Sequence, residues 1–318
     1  MPKSKIQNSP PSPFPHQGGH IGPPLRIHPT LREAAPRLPP IHPVTPSPHH
    51  SPSPPMLQKS LKLSRVMLSV YYAYMVEYRA ELLFWVLSGT LPLILMGLWA
   101  EAAQGGQFAL GPTELVQYFL AVFLVRQFTV VWVIWEFERE VVEGKLSPYL
   151  LQPVDPVWRH FFSHVAERFA RLPFAFVLGG LFVVLYPDAA WWPTPGNLGL
   201  GLLAVILAFC LRFVMQYTFA LAAFWTERAT AIEQFSFLLY TFLSGMIAPL
   251  ALFPDNVRAV VLWTPFPYLI YFPASLLTNQ GDDIVQGFVV MLLWGSGFFV
   301  LNRWLWRRGL RQYSGMGA

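Results

Sequence analysis

Few residues in this 318-residue chain have a type and spacing that could do chemistry. His160 and His164 stand four apart with Glu167 three further on, so on a helix they share a face that a metal could use. Arg159 and Arg168 beside them would repel a cation, and the competing reading makes the histidines interfacial residues at a helix start. Gly144-Lys145 lacks the upstream glycine and the following Ser or Thr of a phosphate-binding loop, so the chain is not expected to hydrolyse ATP. Asp282-Asp283 precedes an apolar run, where a helix N-terminus favours acids without any catalysis. No apolar run holds a Ser-His, Ser-Lys or paired-Asp arrangement suited to intramembrane hydrolysis or prenyl transfer. Neither catalytic nor metal-ligating residues are expected.

Two charges do fall inside apolar runs. Arg126 and Arg212 each sit near the middle of one, where an ionised side chain is costly and marks function by default. Gln127 and Gln216 are their obvious polar neighbours, so a pathway role and a packing role both stand.

Positioning such residues falls to a membrane-embedded scaffold. The chain is 54% hydrophobic and 12% charged, against about 25% charged in soluble domains. Its net charge of +5 comes from residues scattered at the ends of apolar runs, a membrane-orientation signal and not a nucleic-acid stripe. The single cysteine, Cys210, forbids an intrachain disulfide. Residues 1–55 hold 17 of the 31 prolines and six of the eight histidines without an apolar face, and read as a disordered or polyproline-like tail. They contain no signal-peptide core, and Met56 is an alternative start.

From Leu57 to Tyr78 the pattern suits an amphipathic helix lying in the membrane interface. Spans are expected at about 80–100, 113–135, 173–186, 198–225, 233–252 and 284–306. The third is too short alone, so part of the amphipathic stretch from Pro156 to Leu172 must enter the membrane with it. The fifth is broken near Gly245 and Pro249. Val257 to Leu277 is apolar but interrupted by Pro265, Pro267 and Pro273, and reads as a pair of short helices dipping into the outer leaflet. With six spans, the inner segments hold nearly all the Lys and Arg outside the spans and the outer loops only Arg258, so both termini are expected in the cytoplasm.

The stretch from Trp135 to Pro156 stands apart. Glu136, Glu140 and Glu143 follow a helical face, and Gly144 stops that helix. Ser147-Pro148 and Asp155-Pro156 read as two further cap-plus-proline starts. This is a structured elbow with a charged surface built to be touched, and reversing Glu140 and Glu143 together is expected to uncouple it from a partner.

Three stretches, EYRAELLFW at 77–85, EVVEGKLSPYLLQPVDP at 140–156 and SGMIAPLALFPDNVRAVVLWTPFPYLIYFPASLL at 244–277, make the chain from residue 57 onward resemble the six-span permease subunits of bacterial type-2 ABC transporters. The proline-rich tail departs from that pattern. The resemblance implies an all-α integral membrane fold in the bacterial inner membrane, two permeases side by side, and a separate cytoplasmic ATPase that binds ATP and Mg²⁺. It implies a coupling helix contacting that ATPase through Glu138, Arg139, Glu140, Glu143, Gly144 and Lys145, and an outer gate involving Gly245, Pro249, Pro265 and Pro267. A stand-alone secondary transporter is the alternative, but it calls for matching broken helices in two halves, and only one broken span is found.

Overall fold

Helix is the only regular structure among the residues described by the computed structural model, which are 56–313 other than Gln107, Glu227 and Asp282. The expected disordered tail at 1–55 lies outside the described residues.

The chain opens with α1 (Met56–Glu77), which packs along α7, and a first apolar stretch follows as two pieces, α2 (Arg79–Ser88) and α3 (Leu91–Ala102). Its break falls at Gly89-Thr90, where Pro92 in the first turn of α3 has no N–H to continue the ladder. The second stretch is also split, into α4 (Pro112–Thr129) and α5 (Val133–Val142), by extended backbone at Val130. Gly111 occupies the cap position of α4, and Glu114 accepts the Gly111 N–H at 2.9 Å.

After the elbow, α7 (Pro156–Leu185) is one unbroken helix with Pro173 inside it. The short third span and the amphipathic stretch before it are thus one element, as its apolar length required. Next come α8 (Pro195–Ala220) and α9 (Thr230–Leu243), then α10 (Asp255–Val261) and α11 (Tyr271–Leu277), and finally α12 (Ile284–Gln312). Side chains cap three of these starts: Asp155 bonds the Val157 N–H, Thr194 the Asn197 N–H and Asp283 the Gln286 N–H.

Five helical stretches among the described residues are long and apolar enough to cross a membrane: Arg79–Gly105, Pro112–Val142, Pro156–Leu185, Pro195–Phe224 and Ile284–Gln312. The stretch expected as a fifth span in chain order does not join them. Its helix begins at Thr230 and ends at Leu243, because Gly245 turns the backbone left-handed at φ +83°. The two short helices expected within 257–277 are α10 and α11, separated by a tight turn at Phe266–Leu269.

At the centre stands α4, packed against α3, α7, α8 and α11, and the stretch it opens is the most buried of the five. By contrast α12 presents Val285, Leu292, Leu293 and Val300 outward, as a lipid-facing helix does. Lipid is as apolar as leucine, so close packing holds these helices together where the hydrophobic effect cannot. Gly287 shows it: a Cβ there would come within 2.2 Å of the Phe272 ring.

Candidate functional site

The elbow is built on one aromatic base. Ile134, Phe137 and Val141 point inward from α5, and the Phe137 ring meets Tyr217 at 5.3 Å and Phe224 at 5.5 Å, with Trp306 at 6.2 Å. Such edge-to-face contacts between neighbouring rings add about 1 kcal/mol each to simple burial. Gly144 then takes a left-handed φ of +70°, and its N–H bonds the Val141 carbonyl at 3.2 Å, so the helix stops where its glycine predicts. The fully buried Leu146 anchors the chain beyond the stop.

A one-turn helix, α6 (Ser147–Leu150), follows. Its cap position is Leu146, not Ser147 as expected; the Ser147 hydroxyl instead lies 3.1 Å from the Tyr313 hydroxyl. The reason is local: the Leu146 N–H bonds back to the Glu140 carbonyl at the end of α5, and the next turn follows directly from it.

The six charged and glycine positions expected to meet a partner divide in two. Arg139, Glu143 and Lys145 are exposed, with Glu143 and Lys145 in contact, and Gly144 lies between them. Glu138 and Glu140 face the protein. Glu138 accepts the Thr230 N–H at 2.6 Å and its hydroxyl at 3.2 Å. Glu140 meets Arg159, whose guanidinium also stacks 3.9 Å from the Tyr149 ring centroid. Tyr71 of α1 joins that group: burial pushes its hydroxyl pKa up, while the adjacent Arg159 pulls it down. The expected single face of Glu136, Glu140 and Glu143 is also divided, because the helix ends at Val142 and Glu143 swings away.

The two histidines brace the elbow helix and the backbone break before it. His160 lies 3.2 Å from Glu136 and 3.3 Å from Glu140, both on α5. His164 accepts the Trp132 N–H at 3.0 Å and bonds the His160 carbonyl at 2.8 Å, while Arg168 donates to the Phe128 carbonyl at 2.9 Å. Splitting α4 from α5 strips backbone groups of their helical partners, and α7 supplies replacements from one face. Among the described residues no three His, Cys, Asp or Glu are placed to hold a metal.

Further along α7 lies a buried charge network. Glu167 pairs with Arg168 at 3.2 Å and Arg171 at 2.5 Å. Arg126 is within electrostatic reach of Arg171, Arg212 and Tyr240, whose ring also stacks 4.0 Å from the Arg212 guanidinium. The glutamines do not pair with their neighbouring arginines: Gln127 turns to the Val86 carbonyl at 3.4 Å, and Gln216 donates to buried Glu233 at 2.6 Å. Sequence reasoning found Arg126, Arg212 and Gln216 but missed Glu167, Arg168, Arg171, Glu233 and Tyr240 as members of this network. The i, i+4 spacing of Glu167 and Arg171 on one long apolar helix was the signal for part of it.

At the other end, Gly245 is pinned. Its carbonyl accepts the Tyr118 hydroxyl at 2.7 Å, the Ser244 carbonyl accepts the Tyr271 N–H at 3.0 Å, and the Ile247 carbonyl accepts the Trp99 indole at 2.8 Å. Pro249 opens the turn at 250–252, and Pro265 and Pro267 shape the turn before α11. The gate residues expected at 245 and 265–267 are therefore joined through α11.

The family model of the ABC-2 family transporter proteins matches residues 112–317, from the start of α4 to beyond α12. The chain belongs to that family. It is the membrane-embedded permease component of an ABC transporter, a transport protein whose multi-pass character agrees with the five long apolar stretches. No curated protein matches the chain.

Proposed function

We propose that this permease is an exporter subunit of the bacterial inner membrane, driven by a separate cytoplasmic ATPase that docks on the elbow. The observation that carries the reading is the divided set of elbow charges. Arg139, Glu143 and Lys145 face outward from a base fixed by Phe137 and Leu146, while Glu138 and Glu140 tie the same segment to α9 and α7. A docking surface wired to two other helices is what transmitting a push requires. ATP and Mg²⁺ belong to the partner, since Gly144-Lys145 ends a helix and forms no phosphate loop.

The sixth span in this reading is α9 with the irregular segment after it, a broken crossing whose freed backbone groups are met by Tyr118, Trp99 and Tyr271. The α1 helix lies in the inner interface, α10 and α11 dip into the outer leaflet, and both termini are cytoplasmic. Two permeases sit side by side, with Gly245, Pro249, Pro265 and Pro267 in the outer gate.

Affinity purification from detergent-solubilised native membranes, read by mass spectrometry, tests this. Recovery of a Walker-motif ATPase with the chain is expected. Isolation of the chain alone, with transport driven by an ion gradient, would overturn the docking reading.

A further inference from the structure

We propose that the network around Arg126 and Arg212 binds the phosphate of an anionic amphiphile. This rests on the permease reading and names the chemistry of its cargo or bound lipid. Four guanidinium groups, Arg126, Arg168, Arg171 and Arg212, come together on α4, α7 and α8 with two carboxylates, Glu167 and Glu233. The next carboxylate along, Glu136, is engaged by His160. The network therefore carries two positive charges beyond its carboxylates, on three of the long apolar stretches.

Packing alone does not account for that excess. Arg212 is 6% exposed and Arg168 6%, yet Nε and Nη1 of Arg212 and Nη2 of Arg168 lack a hydrogen-bond acceptor. Nε of half-buried Arg126 likewise has none. A buried structural arginine normally has its donors satisfied, because each unmet donor keeps its full desolvation cost. Guanidinium groups offer a planar fork of donors that fits the oxygens of a phosphate two at a time.

The approach to Arg126 is shaped as well. Its Nη1 lies where a Cβ on Gly89 would be, 2.5 Å away, at the break between α2 and α3. Tyr240 of α9 lies within electrostatic reach of the same guanidinium and stacks on that of Arg212. α9, whose buried face carries Glu233 and Tyr240, turns Phe235, Leu238 and Phe242 outward on its opposite face, an apolar surface that suits an acyl or prenyl chain. A charged head among buried arginines and a greasy tail along α9 define an amphiphile rather than a soluble anion.

The test uses the purified full-length chain in dodecyl maltoside, without any ATPase, so its result is independent of the docking reading. Dihexanoyl phosphatidic acid, dihexanoyl phosphatidylcholine and inorganic phosphate are titrated, with binding read by microscale thermophoresis. Phosphatidic acid is expected to bind in preference to phosphatidylcholine, and to weaken by about tenfold or more in Arg212→Gln and in Arg126→Gln. Arg126→Lys, which keeps the charge but loses the fork, should fall between, and Arg308→Gln on exposed α12 should bind as the parent does.

Unfolding temperature without ligand is the second readout. Removing an excess buried cation should leave it unchanged or raise it, whereas a purely structural arginine would lower it. Native mass spectrometry of chain purified from its own membranes separates the sources. A co-purified phospholipid lost in Arg212→Gln assigns the site to bound lipid, and its absence beside in-vitro binding assigns the site to cargo. Equal affinity of parent and both glutamine variants for phosphatidic acid, or inorganic phosphate binding as tightly, would overturn the proposal.

Discussion

Glu138 of the elbow helix accepts the backbone N–H of Thr230, 92 residues later in the chain, at 2.6 Å, and so caps the start of α9 from outside. Thr230 cannot cap its own helix from its position, and the residue before it, Ala229, has no side chain to do so. A carboxylate at a helix N-terminus also meets the positive end of the helix dipole. Replacing it with alanine should cost about 1 kcal/mol of stability. Fluorescence-detected size exclusion after heating should show a lower melting point in Glu138→Ala, with transport reduced more than ATPase co-purification. An unchanged melting point would remove the cap from the account.

The outward and inward elbow charges should separate cleanly in mutagenesis. Charge reversal at Arg139, Glu143 and Lys145 together should abolish ATPase recovery while leaving the melting point within about 1 °C, as exposed pairs contribute little. Glu140→Lys should do the reverse first. It strands Arg159 and His160 in a mostly buried site, a loss of about 3 kcal/mol that shows as poor folded yield. Should the triple variant unfold early, or Glu140→Lys melt normally, the assignment of the two faces is wrong.

Asp155 connects two helix ends. It caps α7 through the Val157 N–H at 3.0 Å and meets Arg303 of α12 at 2.7 Å. Both side chains are about 30% exposed, so a double-mutant cycle of Asp155→Ala and Arg303→Ala should give a coupling of about 1 kcal/mol, shrinking at high salt. Zero coupling at low salt would leave only the cap.

Gly245 combines two constraints. Its φ of +83° disfavours any side chain, and a Cβ there would lie 2.6 Å from the Tyr118 hydroxyl and 2.9 Å from Tyr271 Cβ. Gly245→Ala should therefore lose about 2 kcal/mol or more, with a clear drop in melting temperature, even though one methyl group is all that is added. Tyr118→Phe removes only the hydrogen bond to the Gly245 carbonyl and should cost about 1 kcal/mol. A Gly245→Ala chain that melts with the parent would contradict the packing described.

Where a feature depends on neighbours in sequence, the chain displays it. The caps at Asp155 and Asp283, the stop at Gly144 and the interruption at Gly245 each follow from the conformational habits of a few consecutive residues. What joins distant helices is hidden. Nothing near Glu138 points to Thr230, and Glu140 looks as exposed on a helical wheel as Glu143 until α7 is laid against it. The split between α4 and α5 was missed for a related reason: Thr129, Val130 and Val131 are a β-branched run that only weakly disfavours helix. His164 and Arg168 stabilise the break from another element. The arginine network was half visible, because intramembrane arginines announce themselves while their partners on an amphipathic helix look like an ordinary wet face.

The unbroken course of α7 has a mechanical consequence. Its 30 residues make a rod about 45 Å long, against a hydrocarbon core of about 30 Å. A tilt of about 5° about one end displaces the other by about 4 Å for a rod of that length. The elbow grips one end through Glu136 and Glu140, and nothing flexible intervenes before Leu185 except the one missing hydrogen bond at Pro173. An unbroken rod carries a tilt imposed at the elbow to its far end undiminished, which is what the proposed coupling would require.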